Sequence, residues 1–332
     1  MKYWYHNMID PPKRRQKMKN RTLSIVIPAF NEEENIENTA GVVSAIMREA
    51  HIPYELVFVS DGSKDQTFAK VLALAENDSH IRGLEFSRNF GKEAAIFAGL
   101  SAIKGGCAVV MDCDLQHPPH TIVEMYKLWE EGYDIVEGVK NTRGKESVFH
   151  KLFAGTFYKL LSSLTGTEME NTSDFKLLDK SVIQVLLDMP ERKTFFRAMS
   201  FWVGFKSCQV GYDVQERAFG TTKWSFFNLA KYAVSNIVSF STKPLAMVGY
   251  MGGLSILIGL VVGIQTLVKW FSGKALEGFT TVILLLLFLG GGILLGLGIL
   301  GTYIGAIYQE VKQRPRYIVR LDTDKLLKRD FE

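Results

Sequence analysis

Two long stretches without a charged side chain, Leu245 to Val268 and Phe279 to Tyr308, constrain this chain more than any other feature. Each exceeds the roughly 20 apolar residues that carry a helix across about 30 Å of hydrocarbon. A buried core helix is the alternative, but such helices rarely run so far without a polar face. The short connection Lys269 to Gly278 makes the pair a helical hairpin, expected to span a membrane. Whole-chain averages conceal this, since 47% hydrophobic and 22% charged residues would suit an ordinary globular protein.

Basic residues orient the hairpin. Lys312, Arg314, Arg316, Arg320, Lys325, Lys328 and Arg329 follow it, against only Lys269 and Lys274 in the turn. The positive-inside rule then puts both termini, and the domain before the hairpin, in the cytoplasm. Lys13, Arg14, Arg15, Lys17, Lys19 and Arg21 form a basic arm without the apolar run of a signal peptide. That arm is either attracted to an anionic leaflet or a solvated terminus. Cys107, Cys113 and Cys208 have no zinc or disulfide spacing and fit a reducing compartment. The expected division is an arm (1–21), an α/β domain (22–223), a juxtamembrane amphipathic helix (224–243), the hairpin (244–309) and a basic cytoplasmic tail (310–332).

Within the α/β domain, apolar runs at Leu23–Ile27, Glu55–Val59, Leu84–Phe86, Ala108–Met111 and Ile135–Val136 read as strands. Amphipathic segments between them, Glu33–Ala50, Thr67–Ala75, Lys92–Ile103 and Thr121–Glu131, read as helices. That alternation predicts a mostly parallel sheet covered on both faces, with ligands beyond the carboxyl ends of its strands. Later segments, Phe149–Leu164, Asp179–Leu187 and Phe195–Val203, read as helices. Trp224 to Ser241 is aromatic-rich and amphipathic, as an interfacial helix or an ordinary packing helix would be.

Polar residues collect at the strand ends. The first strand stops at Pro28-Ala29-Phe30-Asn31-Glu32, where Asn31 suits a helix cap, and the second at Val59-Ser60-Asp61-Gly62-Ser63. The fourth ends Met111-Asp112-Cys113-Asp114-Leu115-Gln116-His117. Two carboxylates one residue apart repel unless something positive sits near them. A hard divalent cation, Mg²⁺ or Mn²⁺, satisfies that need and would also hold phosphate oxygens.

These motifs resemble the family 2 glycosyltransferases with the GT-A fold. The likeness continues through Ser87-Arg88-Asn89-Phe90-Gly91-Lys92-Glu93, Ser173-Asp174-Phe175-Lys176-Leu177-Leu178 and Glu216-Arg217-Ala218-Phe219-Gly220-Thr221-Thr222-Lys223-Trp224. That longer set, with the hairpin, is similar to the polyprenyl-phosphate branch. The resemblance implies a Rossmann-like nucleotide-sugar domain and an inverting transfer from a nucleotide sugar to a membrane polyprenyl phosphate. UDP-glucose is the first-choice donor, with GDP-mannose or a UDP-N-acetylhexosamine as alternatives. The expected setting is a bacterial plasma membrane, where the product serves cell-envelope glycosylation.

The same resemblance assigns roles. Pro28, Ala29, Phe30, Glu32, Val59 and Asp61 would cradle the nucleoside, joined in donor binding by Asp112, Cys113, Asp114, Arg217 and Lys223. Asp114 and Gln116 would hold Mg²⁺ or Mn²⁺. Asp112, Asp174 and Arg217 would be catalytic, with Asp174 orienting the acceptor or accepting its proton. Lys140, Arg143 and Lys176 would bind the acceptor phosphate; Lys140 and Lys176 stand where many relatives carry arginine, which alters bidentate geometry. No nucleic-acid partner is expected. Gly249/Gly253, Gly259/Gly263, Gly292/Gly296 and Gly301/Gly305 permit close helix contact within the hairpin or between protomers of a homo-oligomer. Rival readings are a polysaccharide synthase, disfavoured by the absent Gln-x-x-Arg-Trp motif, and a catalytically retired membrane scaffold. A dinucleotide oxidoreductase would need a Gly-x-Gly-x-x-Gly after the first strand, which is missing.

Overall fold

The computed structural model describes residues 21–141, 173–192, 194–213, 243–272 and 278–328. These fall into two compact units, one of residues 21–141, 173–192, 194–213 and 315–328, the other of 243–272 and 278–314. The expected helices at Phe149–Leu164 and Trp224–Ser241 lie outside the described residues, as does the basic arm through residue 20.

The first unit is built on strands β1 (Leu23–Ala29), β2 (Tyr54–Ser60), β3 (Ile81–Phe86), β4 (Cys107–Val110), β5 (Ile135–Lys140), β6 (Lys176–Asp179), β7 (Ser207–Tyr212) and β8 (Val319–Asp322). Helices α1 (Ile36–Glu49), α2 (Thr67–Asn77), α3 (Lys92–Ser101) and α4 (Pro119–Glu131) alternate with the first five strands. They are followed by α5 (Lys180–Asp188) and α6 (Phe196–Trp202). The sheet order is β7-β5-β6-β4-β1-β2-β3-β8. β1 pairs in parallel with both β2 and β4, so the winding reverses between β1 and β4. A crevice at their carboxyl ends is the expected ligand position in such a sheet.

The central strands read as unbroken apolar runs because both faces are covered. Ile25, Leu56, Phe58 and Val109 have no exposed surface. Each stabilises the fold by about 1.5–3 kcal/mol relative to a solvent-exposed position. On one face α1 and α4 supply Val43, Met47, Ile122 and Met125 to the core. On the other, α3 lies so close that a Cβ on Gly99 would overlap Val26.

Three strands have no counterpart in the sequence reading. β6 joins β4 and β5 by antiparallel ladders, and β7 extends the sheet beyond β5 in parallel. β8 comes from the basic tail and pairs antiparallel with β3. A short turn of helix, α9 (Thr323–Leu326), follows it. There Thr323 Oγ1 accepts the Gly83 N–H at 2.8 Å. The buried Asp324 meets Arg82 at 2.6 Å and Lys104 at 3.2 Å, and Arg82 reaches Glu55 at 2.9 Å. Outside that cluster Arg320 pairs with Glu85 at 2.7 Å.

The second unit holds α7 (Lys243–Phe271) and α8 (Phe279–Val311). Pro244–Lys269 and Leu285–Val311 are each long and apolar enough to cross a membrane. Leu254, Ile256, Leu286 and Leu294 each keep more than half their surface exposed, which suits lipid better than water. Among the paired glycines, Gly296 marks a close approach of the two helices, since a Cβ there would lie 3.0 Å from Val248 Cγ1. Gly249, Gly253, Gly259, Gly263, Gly292, Gly301 and Gly305 face open space.

Candidate active site

The two loops that leave β1 and β2 are fastened to each other. Asn31 N–H donates to Ser63 Oγ at 3.1 Å, Glu32 N–H to Thr67 Oγ1 at 2.9 Å and Glu33 N–H to Asp65 Oδ2 at 3.2 Å. In return Lys64 N–H donates to Asn31 Oδ1 at 2.9 Å and Gln66 N–H to Glu33 Oε2 at 2.8 Å. Asn31 takes a left-handed φ of 53°, a conformation its short polar side chain tolerates. Gly62 is required at φ 64°, since a Cβ there would run into the backbone of Arg88 and Asn89. The result is a rigid wall that leaves Phe30 42% exposed at the crevice.

Not every expected nucleoside contact lies on that wall. Pro28 and Glu32 are partly exposed. Val59 is sealed in the core at 0% exposure. Ala29 and Asp61 are each 3% exposed. The Asp61 carboxylate accepts the N–H of Phe90 at 2.6 Å and of Gly91 at 2.9 Å, pinning the start of α3. Burial raises its pKa, and those two hydrogen bonds only partly offset the shift.

The loop after β4 carries the carboxylate pair. Asp112 N–H donates to His117 Nδ1 at 3.3 Å, and Gln116 N–H to Asp114 Oδ1 at 3.2 Å, so the loop is closed upon itself. Leu115 holds φ 56°, a left-handed conformation that costs an L-residue about 1–2 kcal/mol. His117 stacks on Phe175 with centroids 4.7 Å apart and meets Tyr212 edge-on at 5.6 Å. Burial depresses its pKa, so its ring is neutral with Nδ1 as acceptor. Asp112, Asp114 and Gln116 stay partly open. Cys113 does not: its thiol turns inward towards Thr39, and burial pushes its pKa up.

The positive group that the Asp112 and Asp114 spacing calls for is supplied in part by the protein. Lys92 Nζ lies 2.6 Å from Asp112 Oδ1 and 2.9 Å from Asp174 Oδ2. Arg197, from the first turn of α6, grips Asp174 with two bonds of 2.7 and 3.1 Å. Burial alone would raise the Asp174 pKa; the charges of Lys92 and Arg197 override it and hold the carboxyl far below its usual range. Asp174 thus has two cationic partners, one from α3 and one from α6. Burial would likewise raise Asp112, but the charge of Lys92 holds it down. Glu93 is pushed up to about 7, first by burial and then by the charge of Asp174.

The acceptor-phosphate residues separate. Lys140 is exposed at the end of β5. Lys176 is 2% exposed and its ammonium is taken by Glu137 at 2.8 Å and Ser200 Oγ at 3.0 Å. Lys176, expected beside the acceptor phosphate, is therefore buried and paired, unlike Lys140. Arg143, Arg217 and Lys223 lie outside the described residues. The sequence reading gave no role to Lys92, Glu93 or Arg197. Lys92 and Glu93 stood inside a quoted motif, and Arg197 was the one charge in the apolar segment Phe195–Val203, a signal that could have been used. Among the described residues no three His, Cys, Asp or Glu side chains converge as a metal cage. The donor set at Asp114 and Gln116 is instead oxygen-only and partly open, which fits a hard ion that keeps water and phosphate oxygens as its other ligands.

A doubly wound sheet whose switch-point crevice carries a carboxylate pair defines a GT-A-like α/β enzyme, a glycosyltransferase. The chain belongs to glycosyl transferase family 2, whose model matches residues 24–187. It is 39% identical over 305 residues to the putative glycosyltransferase CsbB of Bacillus subtilis (strain 168), covering 91% of this chain and 92% of that one. It is 38% identical over 303 residues to the SfII prophage-derived bactoprenol glucosyl transferase of Shigella flexneri, covering 90% and 97%. In fold it is similar to glucosyl-3-phosphoglycerate synthase from Mycobacterium tuberculosis, solved with Mg²⁺ and uridine diphosphate. That match has a TM-score of 0.50 and 20% identity over 67% of this chain and 79% of that one.

Proposed function

We propose that this chain transfers glucose from UDP-glucose to a membrane polyprenyl phosphate, giving a polyprenyl-phosphate sugar. The observation that carries this reading is the full-length likeness to relatives named bactoprenol glucosyl transferase, three of them 37–38% identical over 90–91% of the chain. Two features of the chain support it. The crevice at β1 and β4 joins an exposed aromatic, Phe30, to an oxygen-rich loop suited to a diphosphate. On the same chain, two helices long and apolar enough to cross a membrane tether the domain to the phase that holds the acceptor. Both termini and the domain lie in the cytoplasm on this reading, by the excess of Lys and Arg after α8.

Chemically, Phe30 and the fastened β1 and β2 loops receive the nucleoside, while Asp114 and Gln116 would hold Mg²⁺ or Mn²⁺ on the diphosphate. Such an ion neutralises the charge that grows on the leaving diphosphate. Asp112, held ionised by Lys92, orients the sugar. The acceptor phosphate is already anionic near neutral pH and needs no general base, consistent with an Asp174 too tightly paired to serve as one. Catalysis then rests on positioning and charge neutralisation, and in-line attack inverts the anomeric centre.

Membranes containing the chain are given polyprenyl phosphate and, separately, labelled UDP-glucose, GDP-mannose and UDP-N-acetylglucosamine. Chloroform-soluble label is expected from UDP-glucose, abolished by chelator and restored by Mg²⁺ or Mn²⁺. Label from another donor alone would move the sugar assignment, and label from none would remove the acceptor assignment.

A further inference from the structure

The cluster that joins Asp112 to Asp174 does more than neutralise charge. Asp112 follows β4 and Asp174 precedes β6, which are neighbouring antiparallel strands. Their ladder ends at Val110 and Lys176, and Asp112 and Asp174 each lie two residues beyond that end. Like charges directly opposite across two strands destabilise the pairing. Lys92 enters between them from a third element and meets both carboxylates.

The backbone that carries Lys92 is fixed from the nucleoside side. Asp61 binds the N–H groups of Phe90 and Gly91, and Gly91 takes φ 99° to turn the chain into α3. The next residue, Glu93, accepts the Phe196 N–H at 2.8 Å and so seats the helix that presents Arg197 to Asp174. One turn of α3 therefore connects the end of β2, the loop after β4, the entry to β6 and the start of α6. The bridge is open on one side: the side chains of Lys92 and Asp112 keep 42% and 33% of their surface, against 6% for Asp174.

We infer that Lys92 is a positioning residue of the transfer site, setting the separation of Asp112 and Asp174 with its ammonium and holding both to the nucleoside wall through Asp61. The inference rests on the proposed sugar transfer for its kinetic consequence, but the bridge itself can be tested without substrate. Neutral replacement leaves two facing carboxylates unbridged, and a displacement of about 1 Å in such a site costs on the order of 100-fold in rate.

The full chain in membranes is compared as wild type, Lys92→Met, Lys92→Arg and the pair Lys92→Met/Asp174→Asn. Lys92→Met is expected to lower kcat about 100-fold while the KM for UDP-glucose and the affinity for UDP stay within about threefold. Lys92→Arg, which keeps the charge, is expected to recover activity to within about tenfold of wild type. In thermal unfolding the double variant regains stability that Lys92→Met loses, because one of the facing charges has gone. A Lys92→Met enzyme within threefold of wild-type kcat overturns the inference, as does a loss confined to donor KM. Should Lys92→Met fail to fold, a double variant that folds no better also overturns it. If the wild type transfers no sugar to lipid, the proposed function falls, and the unfolding comparison still decides the bridge.

Discussion

The first unit contains two ionic networks of similar make-up, and they are built to opposite ends. At the β3 edge, Arg82, Glu55, Asp324 and Lys104 join the returning tail to the sheet. The side chains of Arg82 and Glu55 are each 8% exposed and that of Asp324 1%, while Lys104 at the rim keeps 47%. At the switch point, Lys92, Asp112, Asp174 and Arg197 join as many elements, yet Lys92 and Asp112 face the crevice. Ionic groups withdrawn from water cost several kcal/mol each unless paired, and both networks are paired. The sealed one spends that pairing on holding the tail; the open one leaves charge where a substrate arrives. Both lysines are open, and the carboxylates are what differ: Asp112 keeps 33% of its side-chain surface, whereas Glu55 and Asp324 keep 8% and 1%.

The sealed network gives the largest effect on stability. Asp324→Ala leaves Arg82 and Lys104 facing an empty position and is expected to cost about 3–5 kcal/mol in reversible denaturation. Turnover per folded molecule should stay within about twofold; a parallel loss of turnover would erase the distinction between the networks. Asp174→Asn makes the complementary case, with activity falling about 100-fold and the unfolding midpoint moving far less than for Asp324→Ala. A midpoint shift as large as that of Asp324→Ala would class the open network as structural too. Gly62→Ala probes the wall itself. The left-handed φ and the contact with Arg88 predict a cost of about 1–2 kcal/mol or more and a raised donor KM.

Glu93 gives the smallest and most specific test. Its pKa is about 7 in the folded chain against an ordinary value of 4.5, so the folded state binds that proton more tightly. Its contribution to stability therefore falls as pH rises from about 4.5 to about 7, and is constant above. Glu93→Gln removes the ionisation and keeps an oxygen for the Phe196 N–H. It should raise the unfolding midpoint at pH 8 and leave it unchanged at pH 4. Equal effects at both pH values would show that Glu93 acts through packing and not charge.

The legible part of the fold was the part with periodic signal. The first five strands and the four helices between them were found within a few residues, because buried parallel strands are continuous apolar runs. β6 was hidden by its length and composition: Lys176-Leu177-Leu178-Asp179 is four residues with a charge at each end. β7 is an edge strand in which Val210 and Tyr212 alone are buried, so only a weak alternation marks it. β8 lay in a segment whose basic residues were read for the orientation of the hairpin, although Arg320 pairs with Glu85 on the sheet. Local sequence cannot report a partner more than 230 positions away.

For the site, strand-end position found Asp112 and Asp114 but not what neutralises them. Carboxylates one residue apart need a positive group, and a metal is only one source of it. Lys92 answers half of that demand from a helix that sequence adjacency does not connect to Asp112. The burial of Lys176 was hidden for the converse reason, since a lysine near a strand end can be folded inward as easily as outward, and Glu137 pairs with it there. Val59 is buried because it lies within the sheet, paired with Pro28 of β1 and Leu84 of β3, a setting that its own strand does not report.

The central claim is that the carboxylates after β4 drive sugar transfer to a lipid phosphate. Purified full-length chain, reconstituted with polyprenyl phosphate and Mg²⁺ or Mn²⁺, tests it most directly when wild type and Asp114→Asn are given labelled UDP-glucose side by side. The account predicts chloroform-soluble product from wild type and a loss of about 1,000-fold or more in Asp114→Asn, with unfolding midpoints closely matched. Equal transfer by both proteins, or none by a folded wild type, would contradict it.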